Sequence, residues 1–534
     1  MAMRNTTSRR KALRHADYGA LRRAALLLAA VALLAIATAC TSPRGAGDGA
    51  QPPQEDVANG TGIQQGTGAS DGNSGRNEQG DSDAGGVLTD GTHLHYMLPE
   101  GHEHRLIGDV HPYYDHKSET WYMFYLDTSG QFNSRLLTSK DAISWEPKEL
   151  NIRSNLTNYP VLGIVESEGK YFSYYAEYVA SVSENLIDWG YAGLKYTIPQ
   201  DTAQFPGGIR DPYVAYDPDS KRYYSIGLSY PKRVASENIY ISNLALNRST
   251  GDSLAEWERE HKPVFAETRQ SQDPEVPQLV KIGDRWYVIT SIYGETQHGV
   301  GGTSYLIGDP GKNPFEVDWQ SKPLHKLTSE DLCAAQIVAY NDRHLLFGWL
   351  PKDYTSSTWG GNINLALEVF AYEDGTLGTK MFDGISDLIR GEQTYSLERQ
   401  ATVEAGATFE APTPKRMDMS MSFRLDGERM KLVFYDKKVE IIIHNEGDRP
   451  HIEIRSNTFT TSRLELRAGA LDGDNTLRLV AEGNMLELFL NDAYTVHSRI
   501  GVNLGEDTLV ISAEGKAQLT QLDTYRLKFM EEIR

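Results

Sequence analysis

Beyond residue 90 the chain alternates apolar and polar positions with a period of two, and segments with a helical period are scarce. One unit recurs: an apolar strand, a short polar turn, then a strand rich in aromatic residues. The first strands read "GDVHPYYD", "YPVLGIVES", "IRDPYVAYDPD", "DPEVPQLVKI" and "CAAQIVAYN". Their partners read "ETWYMFYL", "GKYFSYYAE", "SKRYYSIGLSY", "GDRWYVITSIY" and "DRHLLFGWL", starting near Glu119, Gly169, Ser220, Gly283 and Asp342. Gly, Asp and Asn at the turns mark each pair as a β-hairpin. "SKDAISW" and "SENLIDW", ending at Trp145 and Trp189, add a further echo. Self-similarity at roughly 50–60 residues predicts an all-β, five-bladed β-propeller over residues 89–395. A long β-sandwich with coincidental spacing is the plainer alternative.

From about Ser396 short alternating strands follow: "MSMSFRL", "MKLVFYD", "VEIIIHN", "HIEIRS", "NTLRLVAEGNMLELFLNDAYTVHSRI" and "TLVISAEGKAQLTQLDTYRLK". They predict a C-terminal antiparallel β-sandwich over 396–534.

The first forty residues follow a different pattern. A basic segment precedes the apolar run "AALLLAAVALLAIAT", which is short for a membrane span and suits a signal sequence. The run closes on "ATAC", with Ala37 and Ala39 before Cys40. This order resembles a bacterial lipobox, although Ala37 stands where Leu is usual. Residues 1–40 are therefore expected to be a lipoprotein signal peptide, with Cys40 lipidated and anchoring the protein outside the cytoplasm. Plain secretion after cleavage at Ala37-Thr38-Ala39 is the competing reading. Residues 41–88 are rich in Gly, Ser and Asp and hold almost nothing that could be buried, which predicts a disordered tether.

Charge narrows the function. The formal net charge is -20, and the first forty residues are basic, so the remainder is more acidic still. Such a surface repels nucleic acid and anionic lipid, leaving a neutral or cationic ligand. Contact with a membrane is expected through the lipid alone, and the protein is expected to be a monomer without a cofactor. With only Cys40 and Cys333, disulfides do not hold the fold together.

Three first strands begin with an acid beside or near a proline: Asp109 in "GDVHP", Asp211 in "RDPY" and Glu275 in "DPEVP". If the first strand of each repeat lines the propeller axis in one shared register, these carboxylates converge on an axial pocket. Glycosidic bond cleavage needs an acid on the leaving oxygen and a carboxylate on the opposite side of the sugar. Each acid taken alone reads more readily as turn chemistry, with Arg210 paired to Asp211 on the surface; the shared register in three repeats is what favours the pocket.

These residues resemble glycoside hydrolase family 32, the invertase, levanase and fructan-hydrolase family. "LHYMLPEGHEHRLIGDVHPYY" resembles its opening motif, and Arg210-Asp211-Pro212 is identical to its second. "PEVPQLVKIGDRWYVI" resembles the third, "CAAQIVAYNDRHLLFGWL" the last-blade segment, and "MLELFLNDAYTVHSRI" the appended sandwich. The resemblance implies a retaining hydrolase of β-fructofuranosides such as sucrose, levan or inulin. It implies that Asp109 is the nucleophile, Glu275 the general acid/base and Asp211 the transition-state stabiliser. Arg210, His111, Gln336 and Trp349 would bind the oligo- or polysaccharide substrate. The chain departs from the family around the nucleophile, where Leu106-Ile107-Gly108 replaces Trp-Met-Asn and Val110-His111-Pro112 replaces Pro-Asn-Gly. Leu126 and Val276 also replace a common Gln and Cys.

Other readings compete. His93, His95, His102, His104, His111 and His116 invite a metal site, but no other cluster joins them, and the expectation is no metal. Sister five-bladed families that cleave arabinans and xylans use three acids with inversion. A non-catalytic glycan-binding lipoprotein would need the same pocket.

Overall fold

The computed structural model describes residues 106–528 and 532. The exceptions are 128–133, 154–160, 176–177, 202, 237–238, 266–267, 270–272, 297–298, 352–359, 435–437, 448, 457–461, 501 and 503–505. The expected signal segment, Cys40, the tether and His93 to His104 therefore lie outside the described residues.

The described chain is almost entirely β-structure. All five sequence hairpins form as antiparallel pairs: Ile107–Asp115 with Thr120–Asp127, Ile164–Ser167 with Lys170–Tyr175, Ile209–Asp217 with Arg222–Val234, Pro274–Ile282 with Arg285–Thr296, and Cys333–Tyr340 with Arg343–Pro351. The second hairpin turns on Glu168 and Gly169, both at positive φ, the backbone of a tight two-residue turn that follows the strand twist. Further antiparallel strands extend each hairpin outward, as Gly299–Ile307 and His325–Lys326 do for the fourth.

The first and fifth repeats belong to one sheet. Gly361–Ile363 pairs with Arg343–Pro351 and, through Gly361, with Ile107, so the end of the repeat array is hydrogen-bonded to its beginning. The echo at Trp145 and Trp189 is one turn used twice. Asp141 and Asn185 each accept hydrogen bonds from the backbone N–H groups two and three residues on, and Ala142 and Leu186 take matching positive φ.

The C-terminal region forms an eleven-stranded antiparallel sheet that starts at Arg390–Ser396. Here the sequence reading needs correction. "MSMSFRL" and "MKLVFYD" are one strand, Met417–Phe434, because the intervening Asp426-Gly427 is no turn. Gly427 lies against Gly515 of Asp507–Leu527 so closely that a Cβ would strike the Glu514 carbonyl oxygen. Two glycines face to face let the long strands bend and stay paired. Conversely, "NTLRLVAEGNMLELFLNDAYTVHSRI" is three strands, Asp474–Glu482, Met485–Leu490 and Tyr494–Arg499.

Apolar burial ties the regions together. Val480, Phe489 and Leu527 of the C-terminal sheet share a core with Trp121, Phe347 and Ile389. Polar contacts follow the same seam: the Ser329 hydroxyl donates to the His497 carbonyl at 2.6 Å, and Asp331 accepts from the Arg499 backbone N–H at 2.9 Å.

Candidate active site

The site is built by a backbone irregularity repeated between strands. In four of the five hairpins the first strand carries a β-bulge, between Gly108 and His111, Arg210 and Tyr213, Glu275 and Gln278, and Cys333 and Gln336. The first bulged residue lies in the left-handed region each time: Asp109 (φ 42), Asp211 (φ 53), Val276 (φ 48) and Ala334 (φ 46). For a residue with a side chain this costs about 1–2 kcal/mol. Such strain persists where the surrounding structure enforces it, commonly at functional sites. Pro212 and Pro277 follow two of these residues; lacking an N–H, they suit a position where the ladder is broken. In two hairpins the residue opposite the bulge is glycine, Gly227 or Gly348, where a Cβ would crowd the bulged strand.

This register corrects the expectation that the three acids are equivalent. Asp109 and Asp211 share the left-handed position, whereas Glu275 sits one residue earlier, the place held by Arg210 and Gly108. Arg210 and Glu275 therefore lie side by side on neighbouring strands. The Arg210 Nη2 stands 2.5 Å from Glu275 Oε1, and its Nη1 stands 3.3 Å from Asp211 Oδ2. Arg210 is thus no surface partner of Asp211 alone; it bridges two of the acids.

Asp109 faces both of them. Asp109 is half-buried, its carboxyl enclosed by protein. Burial, then the charges of Asp211 and Glu275, push its pKa up to about 8, against the pull of Arg210 and of a hydrogen bond with Trp349. Burial also raises Glu275, which Arg210 opposes and Asp211 reinforces. Groups this close titrate together, so at neutral pH the cluster retains a proton that isolated carboxyls would lose.

The remaining sequence candidates divide. Trp349 is buried in a small cluster with Val276, Cys333 and Ala334, and its hydrogen bonding lowers the Asp109 pKa. His111 is buried, which lowers its pKa to about 3 and keeps it neutral, and its Nδ1 has no hydrogen-bond partner among the described residues. Gln336 serves the framework: its Nε2 donates to the Val276 carbonyl at 3.0 Å and is only 1 % exposed.

Sequence reasoning missed a second layer. Asp273 accepts hydrogen bonds from Tyr230 at 2.7 Å, from Arg210 at 3.2 Å and from the Ser242 hydroxyl. The Tyr230 hydroxyl also accepts from Arg210 Nε at 3.0 Å. The signal for Asp273 was present in "DPEVP", an acid two residues before Glu275; Tyr230 and Ser242 carry no local mark.

Fold and site together define a class: an all-β scaffold whose repeated strands bring three carboxylates onto one arginine. No protein-family model matches the chain, and no curated protein matches it. Solved structures match in fold. Fructan 1-exohydrolase IIa from Cichorium intybus aligns at 14% identity and a TM-score of 0.64, covering 83% of this chain and 98% of that one. Exo-inulinase from Aspergillus awamori aligns at 15% and 0.62, covering 83% and 100%. A Bombyx mori GH32 beta-fructofuranosidase, in complex with sucrose, aligns at 17% and 0.57, covering 80% and 94%. The chain has a fold like that of these family 32 enzymes.

Proposed function

We propose that this protein is a retaining glycoside hydrolase of β-fructofuranosides, built as a five-bladed propeller with an appended sandwich. The observation that carries the reading is the convergence of Asp109, Asp211 and Glu275, bridged by Arg210 and capped by Trp349, on a fold shared with fructan exohydrolase and exo-inulinase. Asp109 attacks the anomeric carbon and forms a fructosyl ester. Glu275 gives its proton to the leaving oxygen, then takes one from the incoming water. Asp211 and Arg210 hold the sugar hydroxyls and the developing charge. His111, neutral and buried, offers its ring to the sugar, and Gln336 keeps the strands in place.

The N-terminal pattern supports export and an acyl anchor on Cys40, which would place a monomeric enzyme at the cell surface over sucrose, levan or inulin. An acylated N-terminal peptide in membrane-extracted protein is the expected finding; unmodified Cys40 at the start of a protein free in the medium contradicts it. A sugar-release screen on sucrose, levan, inulin and arabinan tests the substrate class. Released fructose is expected, arabinose transfers the reading to the sister families, and binding without release reduces the protein to a glycan-binding lipoprotein.

One observation favours a second reading. A carboxyl with a pKa near 8 suits a general base acting through water, which would make Asp109 the base of an inverting furanosidase.

A further inference from the structure

Arg210 stands among four carboxyl groups, and one of them has no place in the chemistry above. Asp273 precedes the strand Pro274–Ile282 and is buried, 7% exposed. Its Oδ1 takes the Ser242 hydroxyl, and its Oδ2 takes both the Tyr230 hydroxyl and Arg210 Nη2. Tyr230 links the two partners again by accepting from Arg210 Nε. The guanidinium is therefore clamped along its Nε–Nη2 edge, and that clamp aims Nη2 at Glu275 and Nη1 at Asp211.

We propose that Asp273 is a positioning residue that answers the charge of Arg210 from its buried side, so that Glu275 can keep a proton while touching an arginine. An unanswered guanidinium 2.5 Å from Glu275 would hold it as a carboxylate, which cannot protonate a leaving group. Burial raises the Asp273 pKa, against the hydrogen bonds of Ser242 and Tyr230 and the charge of Arg210; where Asp273 is ionised, one positive charge is divided between it and the working acid. The strand Ile209–Asp217 presents Arg210 and Asp211 to Glu275, Ile107–Asp115 presents Asp109, and Arg222–Val234 presents Tyr230. Arg285–Thr296 and Cys333–Tyr340 bring Thr290, Ser291 and Cys333 to this end, which add no formal charge. Among the described residues, the balance at Glu275 therefore lies among these carboxyls and one arginine, and the charge of Asp273 acts on it in the raising direction.

The inference rests on Glu275 being the acid, and its test reads Glu275 without needing turnover. The full chain with 13C-labelled glutamate carboxyls is titrated by NMR as wild type and Asp273→Asn, the Glu275 signal being assigned by its loss in Glu275→Gln. The asparagine keeps size and removes the charge: its oxygen can still accept from Tyr230 and Arg210, and its NH2 would donate to the Ser242 hydroxyl oxygen. The Glu275 midpoint is expected to move to lower pH, with the upper limb of the pH–rate profile moving likewise and KM staying within about twofold. If Asp273→Asn does not fold, Ser242→Ala removes one donor from Asp273 and moves the midpoint the same way by less. A midpoint that stays or rises, or a fall in kcat with an unmoved pH profile, overturns the proposal. If the wild type releases no sugar, the hydrolase reading fails while the titration still decides the role of Asp273.

Discussion

Asp109 occupies a place that local energetics disfavours on three counts. Its backbone is left-handed, its carboxyl is enclosed, and two other acids face it. A carboxyl raised from 3.8 towards 8 binds more protons folded than unfolded throughout that window, so stability falls as pH rises from about 4 to 8. Asp109→Asn removes this penalty. At pH 8 the variant should melt about 2–4 °C above the wild type, the gap closing as pH falls towards 4, while activity drops by about 10³-fold or more. Equal melting at pH 8 contradicts the electrostatic reading. The same shifts fix the rate profile: activity is lost as pH falls through the raised pKa of Asp109, which must ionise, and as it rises through that of Glu275, which must keep its proton. The three acids and Arg210 were legible in the sequence because each sits beside or near a proline at the start of a repeat. Asp273 was visible but indistinguishable from turn chemistry, and Tyr230 lies twenty residues from the arginine it holds.

The elements that matter most are the bulged strands, where two residues oppose one and an ordinary ladder is interrupted. Alternation and turn residues disclosed all five hairpins, since those signals are local. The one-residue offset of Glu275 was not disclosed, because register depends on which strand residue is extruded. The second hairpin has its own kink at Gly163 (φ +57), where a Cβ would lie 3.2 Å from the Tyr213 ring and 3.6 Å from His111 Nδ1. Gly163→Ala should cost about 1–2 kcal/mol in urea unfolding through backbone strain. Pressing on Tyr213 and His111, it should also weaken substrate binding more than turnover. An unchanged urea midpoint would show that the kink is dispensable. The strand Met417–Phe434 teaches the converse: Asp-Gly is a strong turn signal in isolation, and pairing with Asp507–Leu527 overrides it.

At the scale of the whole molecule, the C-terminal sheet and the repeats share buried residues and a buried arginine. Arg499 gives Nε to the Pro351 carbonyl at 2.6 Å, Nη2 to Asn362 at 2.9 Å and Nη1 to Asn484 at 2.6 Å. Arg499→Ala strands these acceptors in a dry seam and should cost about 3 kcal/mol. Calorimetry of the wild type should show one cooperative transition spanning both regions, and two separate transitions would contradict the shared core. None of this seam was legible in the sequence. Arg499 reads there as the polar end of an alternating strand, and its partners Pro351 and Asn362 lie more than a hundred positions away.

The most direct test of the central claim is the configuration of the sugar first released, read by NMR before mutarotation. The account predicts β-fructofuranose from a β-fructofuranoside, the retention that an ester on Asp109 requires. Release of the inverted anomer would contradict it and leave Asp109 a base acting through water.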